Sequence, residues 1–222
     1  MINFKLHDIS VTDYGGSGEP LIFSHAFPLC NRMWDSQVEH FKDRYRVITY
    51  DARGLGYSNE LANYLFTMED HVNDLFKIIE HLKLEKVNAC GLSMGGYILQ
   101  RAVLKEPSKF KTIILAGTKA ENDNNTALLN RSESIMKVRA GGKEKFLEEF
   151  LRKLISDESY HNKEIRNFIH MILSWADEKG IISNQIAIAT RTNSFYQLKE
   201  ITIPVLVMVG RDDVLTPLIN SF

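Results

Sequence analysis

The segment Gly91-Leu92-Ser93-Met94-Gly95 is the feature that most constrains how this chain can fold. Residues 86–90 before it are typical of a short buried strand, and residues 97–104 after it are typical of a helix. On so sharp a strand-to-helix turn, Ser93 takes a strained backbone conformation with its hydroxyl at the tip, and side chains in place of the two glycines would collide. A tight turn that merely contains a serine is the alternative. The flanking elements favour a nucleophile elbow, with Gly91 and Gly95 supporting Ser93.

The hydrophobic pattern along the chain predicts an α/β protein with a mostly parallel sheet. Apolar or alternating runs indicate strands at residues 2–12, 21–23, 46–50, 86–90, 112–116 and 203–209. Helical spacing indicates helices at 33–41, 68–82 and 97–104, and Thr67 and Asp70 form a candidate capping pair for the second of these. Residues from about 120 to 197 have no strand-like run and show helical periodicity in short pieces. They therefore predict a helical insertion between two parts of one sheet domain.

Composition and charge exclude several classes of function. The 222 residues carry a formal net charge of −1, so no basic face indicates binding to nucleic acid or to an anionic membrane. The N-terminal residues alternate between apolar and polar, unlike a signal peptide, and no apolar run is long enough to span a bilayer. The two cysteines, Cys30 and Cys90, have no metal-ligand spacing. We therefore expect a cytoplasmic protein without disulfides, metal ion or other cofactor.

Two glycine-rich segments do not match nucleotide-binding motifs. Residues 15–18 lie between predicted strands and open no helix, unlike a dinucleotide fingerprint. Residues 91–96 contain no lysine, which a phosphate-binding P-loop requires. We therefore expect no nucleotide partner.

Four motifs occur in an order that resembles the α/β-hydrolase family over nearly the whole chain. They are His25-Ala26-Phe27-Pro28, Asp51-Ala52-Arg53-Gly54-Leu55-Gly56-Tyr57-Ser58, the elbow at Ser93, and Gly210-Arg211-Asp212-Asp213-Val214-Leu215-Thr216-Pro217. The resemblance implies a mostly parallel sheet flanked by helices, with a helical lid insertion. It divides the chain into a first part of the core at residues 1–119, the lid at 120–197 and an incomplete second part of the core at 198–222. Within the family, Met33, Trp34, Gln37 and residues 27–29 are most similar to the enol-lactonase and cofactor-free perhydrolase branch.

The resemblance implies that the chain hydrolyses small carboxylic esters or lactones. Ser93 would attack the acyl carbon and form an ester intermediate that water later cleaves. The developing oxyanion needs two fixed N–H donors, which the resemblance assigns to Phe27 and Met94. Met94 also begins the predicted helix, whose positive end favours negative charge. His25 is expected to shape the loop that carries Phe27.

The acid of the catalytic site is assigned by resemblance to Asp213, at the fourth position of the motif that begins with Gly210. Asp212 is the alternative if the alignment shifts by one residue. For Asp51 and Arg53 we expect a structural role, either as a loop ion pair or as a turn cap beside the sheet.

No histidine follows Asp213, although a serine hydroxyl is a poor nucleophile without a base. The family's order is serine, acid, histidine, so its last strand, histidine loop and final helix would lie beyond Phe222, and the chain resembles a member truncated at its C-terminus. None of the histidines present is expected to replace this base, including His161 and His170 of the insertion. We therefore expect little turnover from the 222-residue chain. We also expect residues 203–209 to form an exposed apolar edge strand, which favours a homodimer.

Two other functions remain open from the sequence. One is a non-catalytic protein that binds a small molecule or a partner and keeps the pocket without the triad. The other is perhydrolysis or carbon–carbon bond hydrolysis by the same serine scaffold. Dehalogenase and epoxide-hydrolase chemistry is disfavoured, because those branches need an aspartate where this chain has Ser93.

Overall fold

The computed structural model describes residues 1–63 and 65–217. Within these residues, strands β1 to β7 span Ile2–Leu6, Ile9–Asp13, Pro20–Ser24, Arg46–Tyr50, Val87–Leu92, Phe110–Ala116 and Val205–Met208. Helices α1 to α8 span Asp35–Phe41, Met68–His81, Met94–Lys105, Asn125–Arg139, Lys143–Leu154, Asp157–His161, Lys163–Ser174 and Glu178–Ala189. Short 3₁₀ turns cover Asn31–Trp34, Gly56–Asn63, Pro107–Lys109 and Phe195–Glu200.

The first predicted strand, residues 2–12, is instead a hairpin. β1 and β2 pair antiparallel with Leu6 opposite Ile9, and His7 and Asp8 form the turn between them. Both turn residues have positive φ, 47° and 67°, as both central residues of a type I′ hairpin turn require. The alternation of apolar and polar residues continues through the turn and no glycine marks it, so the sequence pattern does not reveal the reversal.

The sheet has the strand order β1-β2-β4-β3-β5-β6-β7. β1, β2 and β4 pair antiparallel, whereas β4, β3, β5, β6 and β7 run parallel to one another. Parallel strands bring their carboxyl ends to one edge of a sheet, where ligands bind in open α/β folds. The loops that follow β3, β5, β6 and β7 therefore meet at this edge. The predicted α/β class with a mostly parallel sheet is confirmed.

Helices cover both faces of the sheet centre, because successive residues of a strand point to opposite faces. Ile22 of β3 belongs to a large buried cluster with Leu75 of α2 and Ile98 of α3. Its neighbour Leu21 belongs to a second cluster, with Val38 of α1. β5 lies between the same two apolar layers, because Ala89 belongs to the first cluster and Cys90 to the second.

The predicted capping pair at the start of α2 is confirmed. The backbone N–H of Thr67 donates to Asp70 Oδ2 at 2.7 Å, and the Thr67 hydroxyl donates to the same oxygen at 2.8 Å. The two residues form a capping box, which satisfies N–H groups that the first turn of a helix leaves without partners.

Helices α4 to α8 lie between β6 and β7 in the chain, within the segment predicted to be the lid. Phe150 of α5 makes an edge-on ring contact with Phe27 in the loop after β3, with 5.7 Å between centroids. Asn184 of α8 donates to the Arg53 carbonyl oxygen at 3.0 Å. The helices of this segment therefore contact the loops at the carboxyl edge of the sheet.

Strand β7 is exposed in the described part of the chain. Its four residues, Val205, Leu206, Val207 and Met208, keep 41% to 52% of their surface accessible. Parallel pairing with β6 uses one side of the strand. The predicted exposure of this apolar edge strand is therefore present in the structure.

Candidate active site

Ser93 occupies the turn between β5 and α3 with a strained backbone. Its φ is 54° and its ψ is −111°, a region that side-chain-bearing residues rarely adopt. The Ser93 N–H donates to the Ala116 carbonyl at 2.8 Å, and the Thr118 hydroxyl donates to the Ser93 carbonyl at 3.0 Å. Ala116 and Thr118, at and just after the end of β6, therefore bind the N–H and the carbonyl group of Ser93.

The two glycines of the motif are needed for close backbone contacts. A Cβ on Gly91 would overlap the carbonyl oxygen of Gly95, and a Cβ on Gly95 would overlap the carbonyl oxygen of Ser24 in β3. Neither obstacle is a movable side chain. The structure thus gives a physical reason for glycine at both positions beside Ser93.

The N–H groups of Met94 and Phe27 are unoccupied in the described residues. Met94 is the first residue of α3, where an N–H has no partner within the helix. Phe27 lies in the loop after β3, which is shaped by a hydrogen bond from the Leu29 N–H to the Ala26 carbonyl at 2.9 Å. Among residues 1–63 and 65–217, neither N–H donates a hydrogen bond. Both donors are therefore available to an oxyanion.

His25 is fully buried and has a partner at each ring nitrogen. The Ala52 N–H donates to His25 Nε2 at 2.8 Å, so Nδ1 carries the proton and donates to the Ala26 carbonyl at 2.9 Å. Burial lowers the pKa of His25, although the charge of nearby Asp51 opposes this. A neutral His25 thus joins the loop after β3 to the loop after β4.

Asp51 and Arg53 have separate structural partners. Asp51 caps two turns, because its carboxylate accepts from the N–H groups of Asn31 at 2.7 Å and Tyr57 at 2.9 Å. Arg53 forms a two-pronged ion pair with Asp74 of α2, with distances of 2.9 and 2.7 Å. Asp51 therefore has the expected role of a turn cap. Arg53 has the expected role in an ion pair, and its partner is Asp74 of α2.

Asp213 lies after β7 with its carboxylate held by its own turn. It accepts from the N–H groups of Leu215 at 2.9 Å and Thr216 at 2.8 Å, and from the Thr216 hydroxyl at 2.9 Å. A Cβ on Gly117, at the end of β6, would lie 3.1 Å from Asp213 Oδ2. Asp212 is exposed. The Asp213 carboxylate therefore lies beside the carboxyl edge of the sheet.

Ser93 opens into a cavity of about 530 Å³ between the sheet edge and helices α4, α5 and α8. Its apolar wall contains Phe27, Tyr97, Phe146, Phe150 and Ile188. Thr216, which holds Asp213, lines the same cavity. A cavity of this size fits a small ligand.

All seven histidines lie within residues 1–63 and 65–217, and none of them is among the described residues that line this cavity. His25 and His71 are buried elsewhere, and burial, aided by the charge of Arg53, lowers the pKa of His71 to about 3. His161 and His170 are exposed on the helices of the insertion. The remaining three, His7, His40 and His81, lie at a hairpin turn and on α1 and α2.

Several residues at the site carry no signal in the sequence. Thr118 holds the elbow, and Lys119, Arg131 and Gln185 line the cavity. Thr216 lies inside the motif around Asp213, but the motif does not mark it as a partner of the acid. These residues come from four separate segments, so only the fold brings them together.

The described residues contain no group of three or more side chains that is suited to hold a metal ion. No helix among them is long and apolar enough to cross a membrane. Burial raises the pKa of both free cysteines, Cys30 and Cys90, to about 12, so neither thiol is an activated nucleophile.

Comparison with known proteins agrees with this geometry. A family model described as the α/β hydrolase fold matches residues 19–221. The chain belongs to the α/β-hydrolase family. The strand order and the elbow at Ser93 have the arrangement that the four sequence motifs imply.

This α/β hydrolase matches relatives over about four fifths of their length. It is 28% identical to 3-oxoadipate enol-lactonase 1 of Acinetobacter baylyi, over 98% of the chain and 84% of the relative. It is 27% identical to a non-heme haloperoxidase of Rhodococcus erythropolis, over 93% of the chain and 79% of the relative. A solved thermophilic esterase from Thermogutta terrifontis superimposes with a TM-score of 0.88 at 30% identity, over 96% of this chain and 78% of that one. The chain is thus a hydrolase of the α/β-hydrolase superfamily.

Proposed function

We propose that the chain is a serine hydrolase that acts on small carboxylic esters or lactones, with Ser93 as nucleophile. The observation that carries the proposal is the backbone of Ser93, held at φ 54° at the end of β5 and open to the cavity. A conformation this unfavourable persists only where surrounding contacts impose it, and such strain clusters at functional sites. The names of the relatives, an enol-lactonase and an esterase, support the same substrate class.

The reaction follows from the groups at the elbow. Ser93 Oγ attacks the carbonyl carbon of the substrate and loses its proton, and the carbonyl oxygen becomes an oxyanion. The N–H groups of Met94 and Phe27 stabilise that charge, and the positive end of α3 adds to the effect at Met94. Collapse of the intermediate expels the alcohol, which takes up a proton, and leaves an ester on Ser93. Water then attacks this ester, releases the carboxylic acid and restores the hydroxyl.

A base is needed to take the Ser93 proton, and no histidine of this chain lines the cavity. Asp213 is proposed as the acid that orients such a base, and His25 is proposed as a support of the oxyanion loop. Removal of the base costs a serine protease on the order of a millionfold in kcat. We therefore propose that the 222-residue chain has slow turnover.

The nucleophile is tested by reaction with a fluorophosphonate followed by intact-mass measurement. With imidazole in solution to supply the base, we expect one adduct on the wild-type chain and none on S93A. Ser134 lines the same cavity, so S134A is the matched control and should still gain one adduct. A wild-type chain without an adduct, or an adduct that survives S93A, would contradict the proposal and favour a non-catalytic binding protein.

The missing base is tested with imidazole in solution. Imidazole alone hydrolyses 4-nitrophenyl acetate, so the rate with imidazole and no protein is the baseline. We expect the wild-type chain to exceed this baseline, with saturation in imidazole, and S93A to stay at it. Fast hydrolysis by the wild-type chain without imidazole would overturn the proposed slow turnover. Equal rates for wild type and S93A at every imidazole concentration would overturn the role of Ser93.

Perhydrolysis is the second candidate, because one relative is a non-heme haloperoxidase. Hydrogen peroxide would replace water as the attacking group on the Ser93 ester and release a peracid. Incubation with acetate ester, peroxide and bromide distinguishes the two reactions, since a peracid oxidises bromide much faster than peroxide does, and a sample without protein gives the background. Acetate as the sole product favours hydrolysis.

Two further predictions from the sequence are kept as proposals, a cytoplasmic location and a homodimer. The exposed apolar side chains of β7 support self-association, because an unpaired strand edge is a template for pairing.

A further inference from the structure

Four charged side chains form a cluster at the wall of the cavity that holds Ser93, and the reaction above uses none of them. Asp123, whose side chain is 1% exposed, faces three cations. Arg131 Nε donates to its Oδ2, Arg191 Nη1 lies 3.0 Å from its Oδ1, and Lys119 Nζ lies 3.5 Å from the same Oδ1. Burial raises the pKa of Asp123, but the hydrogen bond from Arg131 and the charges of both arginines lower it overall. The carboxylate is therefore ionised at neutral pH, and the cluster is positive.

Arg191 is the structural cation of this cluster. Its Nη1 donates to the Ile188 carbonyl and its Nη2 to the Glu121 carbonyl, both at 2.8 Å. Its guanidinium lies 4.2 Å from the centroid of the Tyr97 ring, a stacked arrangement that is favourable when desolvated. These contacts bind the start of the insertion to its end, and Arg191 is not among the residues that line the cavity.

Lys119 and Arg131 differ from Arg191, because both line the cavity and keep unused donors. Their side chains are 18% and 22% exposed. Arg131 uses Nε on Asp123 and Nη1 on Gln185 Oε1, at 2.6 Å for the second, and leaves Nη2 unused. Lys119 Nζ donates no hydrogen bond within residues 1–63 and 65–217. Two half-buried cationic donors thus face the cavity beside Ser93.

Asp213, which is bound to Thr216 in the cavity wall, offsets one of the two excess positive charges, and the other charges around the cavity do not cancel the second. Glu149 is paired with Lys137. Glu133 and Lys153 are exposed at the mouth of the cavity, where solvent and salt screen their fields. Lys119 and Arg131 are shielded from solvent, so their attraction for an anion is stronger.

We propose that Lys119 Nζ and Arg131 Nη2 form a subsite that binds a carboxylate, so that the ester or lactone hydrolysed at Ser93 also bears a free carboxylate group. The proposal rests on the proposed function for its link to Ser93. Arg131 Nη2 would donate to one carboxylate oxygen, and the Lys119 ammonium supplies a point charge at the other. The aromatic wall of Phe27 and Phe146 would contact the carbon chain between the two groups of the substrate.

The subsite is tested by calorimetric titration of the full chain carrying S93A, which prevents turnover. The two probes are monomethyl glutarate, which has one ester and one carboxylate, and dimethyl glutarate, which has two esters and no charge. Hydrogen bonds to charged groups are worth enough for the monoester to bind at least about tenfold more tightly. Adding K119M, which keeps the aliphatic stem, should remove this preference.

Lys86 provides the matched control, because it is exposed before β5 at the amino end of the strand, away from the cavity. K86M changes the net charge as K119M does and should keep the preference. Equal affinity for the two probes, or an equal loss in K86M and K119M, would overturn the subsite. K119Q is the second variant, and it should give the same result if K119M is poorly folded by circular dichroism.

The experiments distinguish an error in the proposed subsite from an error in the proposed nucleophile. Labelling of Ser93 by fluorophosphonate with no preference for the monoester overturns the subsite and keeps the proposed function. A preference that depends on Lys119 in a chain whose Ser93 is never labelled overturns the serine mechanism and keeps the anion site.

Discussion

The Thr118 hydroxyl donates a hydrogen bond of 3.0 Å to the carbonyl oxygen of Ser93. Thr118 is buried and follows β6, whereas Ser93 follows β5, so the bond crosses between the ends of two neighbouring strands. The Ser93 N–H donates in turn to Ala116 of β6. The strained elbow is therefore held by the next strand of the sheet as well as by its own glycines.

Replacement of Thr118 by valine is expected to loosen the elbow. The variant keeps the shape of the side chain and leaves the Ser93 carbonyl without this donor, at a cost of about 1 to 2 kcal/mol in the free energy of unfolding. Urea denaturation measures this loss, and the rate of fluorophosphonate labelling should fall as well. T118S keeps the hydroxyl and should restore the labelling rate. A T118V chain labelled as fast as wild type would contradict a positioning role for Thr118.

Replacement of Gly95 by alanine is expected to destabilise the fold severely. The new Cβ would overlap the Ser24 carbonyl oxygen in β3, and a strand backbone at the sheet centre cannot move aside cheaply. We expect a loss above about 3 kcal/mol, in the range of severe overpacking. In G210A the nearest atom to the new Cβ is Asp213 Cβ at 3.8 Å, so this control should change stability little. Similar melting temperatures for G95A and G210A would show that α3 shifts freely at the elbow.

Stability is expected to fall with pH because of His71. This side chain is buried, and burial, aided by the charge of Arg53, lowers its pKa to about 3, against 6.5 for an ordinary histidine. Between these two values the unfolded state binds one more proton than the folded state, so this contribution to stability is complete above pH 6.5 and is lost as the pH falls towards 3. The slope from one such proton is about 1.4 kcal/mol per pH unit.

Substitution of His71 by leucine removes this proton and should flatten the decline. Unfolding free energies measured at pH 7, 6, 5 and 4 give the slopes for wild type and H71L. H170N, which changes an exposed histidine, is the control for loss of a histidine at the surface. A wild-type slope equal to that of H71L would show that His71 is accessible to protons in the folded state.

Introduction of lysine at Leu206 is expected to reduce self-association. Leu206 lies in the middle of β7 with 51% of its surface exposed, and a lysine on an edge strand opposes pairing with another strand. Size-exclusion chromatography with light scattering should give a lower average mass for L206K than for wild type. N3K places the same charge on β1 at the opposite edge of the sheet and should leave the mass unchanged. A wild-type chain that is monomeric at all concentrations would exclude the predicted homodimer.

Much of the fold was predictable because its signals are local. The central strands are short apolar runs, and the capping pair of Thr67 and Asp70 acts over one helical turn. The hairpin at His7 and Asp8 was missed, because a period of two continues through a tight turn that lacks glycine. The motif around Ser93 fixes a local backbone geometry, since glycine is required wherever two backbones approach too closely for a Cβ.

The sequence by itself determined the family, the elbow and the order of the four motifs, because each depends on residues adjacent in the chain. The tertiary structure decided which side chains share the cavity with Ser93. Lys119, Asp123, Arg131 and Arg191 are spread over more than 70 residues, and they meet only because the insertion folds its start against its end. The distribution of charge around a ligand depends on such distant contacts, so it cannot be predicted from the spacing of residues along the chain.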